Sequence, residues 1–145
     1  MVLDATRTIS GSYGTVWMDG RWLTNFNSAE AMGELDKEEI KRAGTRIVGH
    51  KVVGITWSGT LKGLKVTSEL TELISQVADD TKSPFVTELI LKLADPEAYG
   101  FERVRLKGVQ FDRIDLIRFE AGSVVEQELP FTFSGMEWLD KIVGV

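Results

Sequence analysis

Residues 51–62, Lys51-Val52-Val53-Gly54-Ile55-Thr56-Trp57-Ser58-Gly59-Thr60-Leu61-Lys62, decide the class of fold. Val53, Ile55, Trp57 and Leu61 point one way, with Gly59 in the same row. Thr56, Ser58, Thr60 and Lys62 point the other way. A period of two with one apolar and one polar row is a strand buried on one face and wet on the other.

Upstream, Val16 and Met18 alternate into Asp19-Gly20, a hairpin turn signal, and Trp22, Thr24 and Phe26 continue beyond it. Residues 15–27 therefore read as a β-hairpin. Residues 29–50 carry an acidic run, Glu30, Glu34, Asp36, Glu38 and Glu39, and then a basic one, Lys41, Arg42 and Arg46. Gly33, Gly44 and Gly49 argue against a helix there. The reading is a long strand running into an extended loop over 33–50. Residues 1–14 have neither the basic region nor the apolar core of a secretory signal, and read as a flexible arm.

Downstream, the spacing predicts a helix over 68–80. Ser68 is its N-cap, Glu69 and Glu72 lie in its first turn, and Leu70, Leu73, Ile74, Val77 and Ala78 form one stripe. Phe85 to Leu93 alternates again. Phe101 to Glu120 reads as one long strand whose phase slips near Gly108 and near Arg113, as two β-bulges would make it do. Ala121-Gly122-Ser123 turns the chain. Leu129, Phe131 and Phe133 then point inward and Glu126, Glu128 and Thr132 outward. Pro130 suggests an edge or a bulge, and Trp138 to Val145 a short helix or docking arm. Trp57 and Trp22 read as core, Trp17 as facing an interface, and Trp138 as either. The fold class is mainly β, a bent β-sandwich or barrel of about seven strands with one flanking α-helix, in a single domain over 1–145.

Chemistry is hard to place on this chain. Of its 145 residues 43% are hydrophobic and 27% charged, with a net charge of −5 and no cysteine. That is ordinary globular composition without thiolate sites, and without the basic excess of a nucleic-acid-gripping protein. No apolar run is long enough to span a membrane. His50 is the lone histidine, so a His-based metal site would need carboxylates for every other ligand; a Ser-His-Asp triad would have to use His50 too, and no G-x-S-x-G elbow precedes a helix. Gly44 to Lys51 imitates a phosphate loop, but His50 takes the lysine position and Val52 follows where a hydroxyl belongs. Asp112 with Asp115, or Glu126 with Glu128, reads as solvated surface more readily than as a catalytic pair. No cofactor and no enzymatic activity are expected. Long half-wet strands, a charged loop and irregular ends instead suggest edges that other copies must cover.

Several motifs in order resemble one family. They are Thr8-Ile9-Ser10-Gly11 leading to Trp17-Met18-Asp19-Gly20, Gly49-His50-Lys51 with Gly54, Gly59-Thr60, and Lys65-Val66-Thr67-Ser68. Glu102-Arg103-Val104 with Val109 to Asp112, and Glu128-Leu129-Pro130-Phe131-Thr132-Phe133, complete the set. Together they are similar to the tail tube proteins of contractile phage tails, of the PBSX-like prophage and R-type bacteriocin type. The resemblance implies subunits in stacked hexameric rings, with strands lining a lumen. It implies a tube that conducts DNA or pierces an envelope, and no catalytic residues. Lumen-facing candidates are then Thr56, Ser58, Thr60, Lys62, Glu126, Glu128 and Thr132. Ring-stacking candidates in the 33–50 loop are Glu34, Asp36, Glu38, Lys41, Arg42 and Arg46. The implied partners are further copies of the chain, a sheath, a baseplate and a tape-measure protein, with DNA passing unbound and no membrane binding by the subunit. The implied location is the bacterial cytoplasm during assembly and then the particle's tail. The other reading of the residues is a monomeric β-sandwich binding module.

Overall fold

The computed structural model describes residues 3–143. Eight strands form one antiparallel sheet: β1 (Gly14–Met18), β2 (Arg21–Trp22), β3 (Phe26–Ile40), β4 (Gly49–Leu64), β5 (Thr87–Leu93), β6 (Glu102–Phe111), β7 (Glu126–Phe133) and β8 (Gly135–Asp140). The order is β2-β1-β5-β6-β7-β4-β3, and β8 pairs with β6 off that path. The sheet folds over at β6, whose length is shared between β5 and β8 on one side of the fold and β7 on the other. Its two layers enclose Val16, Met18, Leu61, Leu89, Leu106, Val109, Leu129, Phe131 and Phe133. This is the bent β architecture that the alternation predicts.

Several local expectations change. The 33–50 segment is mostly not a loop: 33–40 continue β3, 49–50 begin β4, and only 41–48 form the connection. Glycines that break a helix do not break this hairpin. At Gly33 a Cβ would stand 2.7 Å from the Trp57 ring, so its absence is what lets the indole lie across β3. The 15–27 hairpin is shorter than expected. Asp19 and Gly20 take φ of 50° and 78°, as a primed turn requires. Its return strand is only Arg21–Trp22, however, and Phe26 already belongs to β3. Trp22 is 51% exposed and stacks on Trp17 on the outer surface, not in the core.

The long strand expected over 101–120 stops at Phe111. The bulge near Gly108 is present: Thr87 pairs Val109 while Leu89 pairs Leu106, and Gly108 has φ 66°. The second, near Arg113, is absent because pairing has already ended. Gln110 pairs Thr132 and Phe111 pairs Phe131, so Asp112 comes next against Pro130. The Asp112 N–H donates to the Pro130 carbonyl at 2.8 Å. Proline has no N–H to return, so the ladder ends there. Pro130 thus lies in an interior strand, with its missing donor at the point where β6 leaves.

The helix α1 spans Glu69–Ser75, and a 3-10 turn over Gln76–Ala78 extends it. Ser68 makes no side-chain cap bond. Leu70 and Ile74 reach the core, and Thr71 accepts a buried hydrogen bond from Gln127, but Val77 is exposed and the stripe stops short of it. Arg21 bonds Glu69 at 2.6 Å and holds its carboxyl below the usual range. The tail expected as a helix or arm is β8 as far as Asp140, and residues 144–145 lie outside the described residues. Residues 1–2 of the N-terminal arm also lie outside them. The rest of the arm is two exposed 3-10 turns docked on the loop before β6. Ser10 N–H donates to Asp95, and Arg7 donates to the Glu97 carbonyl and covers the Tyr99 ring.

Candidate assembly surface

β4 does two jobs along its length. Residues 57–64 pair with β7 on one side and β3 on the other, within the body of the fold. Residues 49–56 have only β3 beside them. The far half of the hairpin is therefore a two-stranded arm, roughly 25 Å long at the usual rise of a strand. A bulge at Val53 falls within it, where Asp36 pairs Gly54 but Lys37 pairs Val52.

One face of this inner sheet collects most of the lumen candidates in register. Lys62 lies between Ser28 and Glu128, Thr60 between Glu30 and Pro130, and Ser58 between Met32 and Thr132. Thr56 opposes Glu34, Gly54 opposes Asp36, Lys51 opposes Glu38, and Glu126 opposes Leu64. Thr56, Ser58, Thr60, Lys62, Glu126, Glu128 and Thr132 thus share one solvent-facing surface.

The ring-stacking set divides. Glu34, Asp36 and Glu38 are not in a loop. They stand on β3, on the same face as the lumen candidates. The even positions of β3 carry them there, because strand alternation governs 28–40 as it governs 54–62, and the bulge at Val53 brings Lys51 onto the same face. Lys41, Arg42 and Arg46 do sit in the connection, exposed at the tip of the arm. The face therefore holds six carboxylates, Glu30, Glu34, Asp36, Glu38, Glu126 and Glu128, against Lys51 and Lys62, with Arg113 3.7 Å from Glu128. Among the described residues, no cation lies within ion-pair distance of Glu30, Glu34, Asp36 or Glu38. The opposite layer is different: there Glu88 and Glu137 flank Arg105, Lys107 pairs Glu137 and Arg103 pairs Asp140. Glu88 pushes the Arg105 guanidinium still higher.

Next to the body the other face of the arm is apolar and uncovered, and Lys37, Glu39 and His50 follow on it toward the tip. Leu35 and Ile55 oppose each other at 51% and 45% exposure, Val52 and Val53 are exposed beyond them, and Ile47 is exposed in the connection at the tip. Sequence reasoning missed this surface, although Ala29, Ala31, Gly33 and Leu35 alternate with Glu30, Met32, Glu34 and Asp36. It also missed Leu116, Ile117 and Phe119, exposed on the 112–125 connection after β6 ends. Patches this extended mark contact surfaces. Among the described residues no cluster of acidic or histidine side chains is placed to hold a metal, and no helix is long and apolar enough to cross a membrane.

Three comparisons bear on this surface. A family model described as phage tail tube protein matches residues 1–140. The phage-like element PBSX protein XkdM of Bacillus subtilis (strain 168) is 32% identical over 143 residues, covering 98% of this chain and 97% of its own. The fold is shared with a chain of the sheath-tube complex of an extracellular contractile injection system in its extended state, at TM-score 0.71 and 15% identity over 91% of this chain and 93% of that one. It is also shared with a chain of the anti-feeding prophage cap, a tube-terminating cap, at TM-score 0.75 and 14% identity over 97% of this chain and 95% of that one. Matched by the family model nearly end to end and sharing a third of its residues with a phage-element protein, this chain belongs to the phage tail tube protein family.

Proposed function

We propose that the chain is the repeating subunit of the inner tube of a contractile tail or tail-like particle. Six copies close a ring, the number the family resemblance implies, and rings stack into the tube. The observation that carries this reading is the β3–β4 arm. It has a long unpaired edge at β3 and an exposed apolar face, a combination that a monomer would have to blunt. Ring closure satisfies both at once.

In this reading the face of Thr56, Ser58, Thr60, Lys62, Glu126, Glu128 and Thr132 lines the lumen, joined by Glu30, Glu34, Asp36 and Glu38. Its acidic excess repels a phosphate backbone, so DNA passes without adhering. The basic tip of Lys41, Arg42 and Arg46 meets the next ring and sets its register. Sheath, baseplate and tape-measure proteins supply the outer cover, the template and the length. The subunit does no chemistry and needs no cofactor. It accumulates in the bacterial cytoplasm before entering the particle.

The test is negative-stain electron microscopy beside size-exclusion chromatography, with and without a matching baseplate. Rings or hollow tubes support the reading. A monomer that fails to polymerise even on a baseplate would overturn it in favour of a monomeric binding module. The tip gives a separate prediction. Reversing Lys41, Arg42 and Arg46 together to Glu leaves the melting temperature within about 2 °C, since exposed charges far from the core contribute little. Rings still form, but tubes shorten, and wild-type tubes shorten likewise as salt rises. Full-length tubes from the triple variant would remove the tip from the ring-to-ring contact.

A further inference from the structure

The two ends of β4 carry unlike surfaces. At its Gly49 end is the connection over 41–48, which holds three cations, Lys41, Arg42 and Arg46, and no carboxylate, with Ile47 69% exposed. At its Leu64 end lies the connection over 112–125, bonded down on its own copy. The Lys65 ammonium donates to the Leu116 carbonyl at 3.3 Å, and the Lys65 N–H donates to the Val125 carbonyl at 2.9 Å. Arg118 lies beside Ser28 and Lys62. Fixed in this way, the connection still turns Leu116, Ile117 and Phe119 to water at 65%, 80% and 79% exposure. Three large apolar side chains grouped on an outward surface mark a contact that the subunit does not itself supply.

Charge separates the two ends as well. Arg113 and Arg118 are engaged within the 112–125 end, Arg113 at 4.0 Å from Asp115 and 3.7 Å from Glu128, Arg118 at 3.9 Å from Asp115. Among the described residues, Asp112, Glu120 and Glu126 have no cation within ion-pair distance, although Lys62 and Lys65 border them. At the tip, Lys41, Arg42 and Arg46 have no carboxylate within that distance. One end therefore offers apolar surface with free cations, and the other offers apolar surface with free carboxylates.

Ring closure decides which surfaces meet. The strands of a closed barrel tilt by about 35–45° from its axis. β4 has 16 residues, so its ends stand roughly 50 Å apart along the strand and roughly 35–40 Å apart along the axis. They therefore lie at opposite rims of the ring, in the same wall because they belong to one strand. Rings stacked in one sense are related head-to-tail, so one rim of each meets the opposite rim of the next. The tip of one ring then arrives at the 112–125 end of another, with its cations toward Glu120 and Ile47 toward the apolar group.

We propose that the 112–125 connection is the seat on which the arm tip of a copy in the adjacent ring docks. The inference rests on the ring-forming reading above and adds to it the surface that receives the tip. The occupant is a second copy of this chain, because the tip and the seat are the opposite ends of a single strand and only stacking brings opposite ends together.

The chain has no cysteine, so introduced thiols are free of background. Ala43→Cys and Phe119→Cys are combined in one chain and treated, as assembled tubes, with a short bis-maleimide. Both positions are exposed, and within one copy they stand at opposite ends of β4, out of reach of each other. An axial contact links ring to ring without closing, so the expected ladder on a denaturing gel runs past the hexamer and is absent from either single variant. A ladder that stops at the hexamer, as a lateral contact gives, or tubes with no ladder, would overturn the seat and leave ring formation standing. A second variant, Phe119→Ser, keeps the wild-type melting curve and still forms rings, but its tubes are at least tenfold shorter. Wild-type tube length from Phe119→Ser would likewise overturn the seat. A wild-type chain that makes no tubes on its baseplate would overturn both readings, and the wild-type control identifies that case separately.

Discussion

Gly59→Val is expected to unfold most of the protein at temperatures where the wild type is native. Gly59 pairs with Ala31 of β3 and Phe131 of β7, in the middle of the inner sheet. A Cβ there would fall 2.3 Å from the Glu30 carbonyl oxygen and 2.5 Å from Phe131 Cζ. The first neighbour is backbone and moves only if β3 lifts away. The second is the ring of Phe131, fully buried between Phe111 and Phe133. Overpacking at such a site and displacement of a core aromatic together cost about 3–5 kcal/mol. A domain of this size holds roughly 5–15 kcal/mol in all. In urea denaturation the midpoint falls by about 1 M or more. Gly54→Ala is the contrasting case. Its Cβ would meet only the Asp36 side chain, at 3.3 Å, and the expected change is within about 0.5 kcal/mol. Equal midpoints for the two variants would contradict the register of β3, β4 and β7.

The second large effect falls on assembly and spares the fold. Leu35 and Ile55 oppose each other on the apolar face of the arm, beyond the part of β4 that β7 covers. Both are about half exposed in the subunit. Burying a large aliphatic side chain is worth about 1.5–3 kcal/mol, so covering the pair contributes several kcal/mol to each contact between copies. Leu35→Asp with Ile55→Asp removes that gain and adds two carboxylates that cannot be buried unpaired. The variant should melt within about 2 °C of wild type, because neither residue belongs to the core. Ring and tube formation should fall at least 100-fold in sedimentation, which corresponds to only about 2.7 kcal/mol. Wild-type assembly by the double variant would mean that this face of the arm is not an interface.

The class of fold was legible wherever one face of a strand is buried. Residues 57–62 and 126–133 announce their strands because burial writes the alternation into them; Val53 and Ile55, expected in the same buried row, are exposed on the arm. The arm was harder for the converse reason. Both faces of 33–40 meet water in the subunit, so no core enforces a pattern there. Glycine added to the ambiguity: Gly33 looked like an interruption, while its role is to admit the Trp57 ring. The end of β6 was missed for a different reason. The residue that stops it, Pro130, lies nearly 20 positions later in the chain and acts across the ladder. The lumen candidates came out together because they share two strands whose register is fixed by core residues between them. The stacking candidates divided because three of them obey the same strand period and three sit in the turn.

The continuity of β4 from arm to body has a mechanical consequence. A load applied along the arm enters residues 57–64 along the strand axis and is borne by the whole ladder with β7 at once. Hydrogen bonds loaded in parallel must yield together, whereas bonds peeled from one end yield in turn. There is no hinge between arm and body at Trp57, since the same strand crosses that boundary and Trp57 itself packs on Phe133. The arm, the most exposed segment of the inner sheet, is thus also stiffly rooted, and in the proposed stack thrust would be carried by strand shear and not by loop bending.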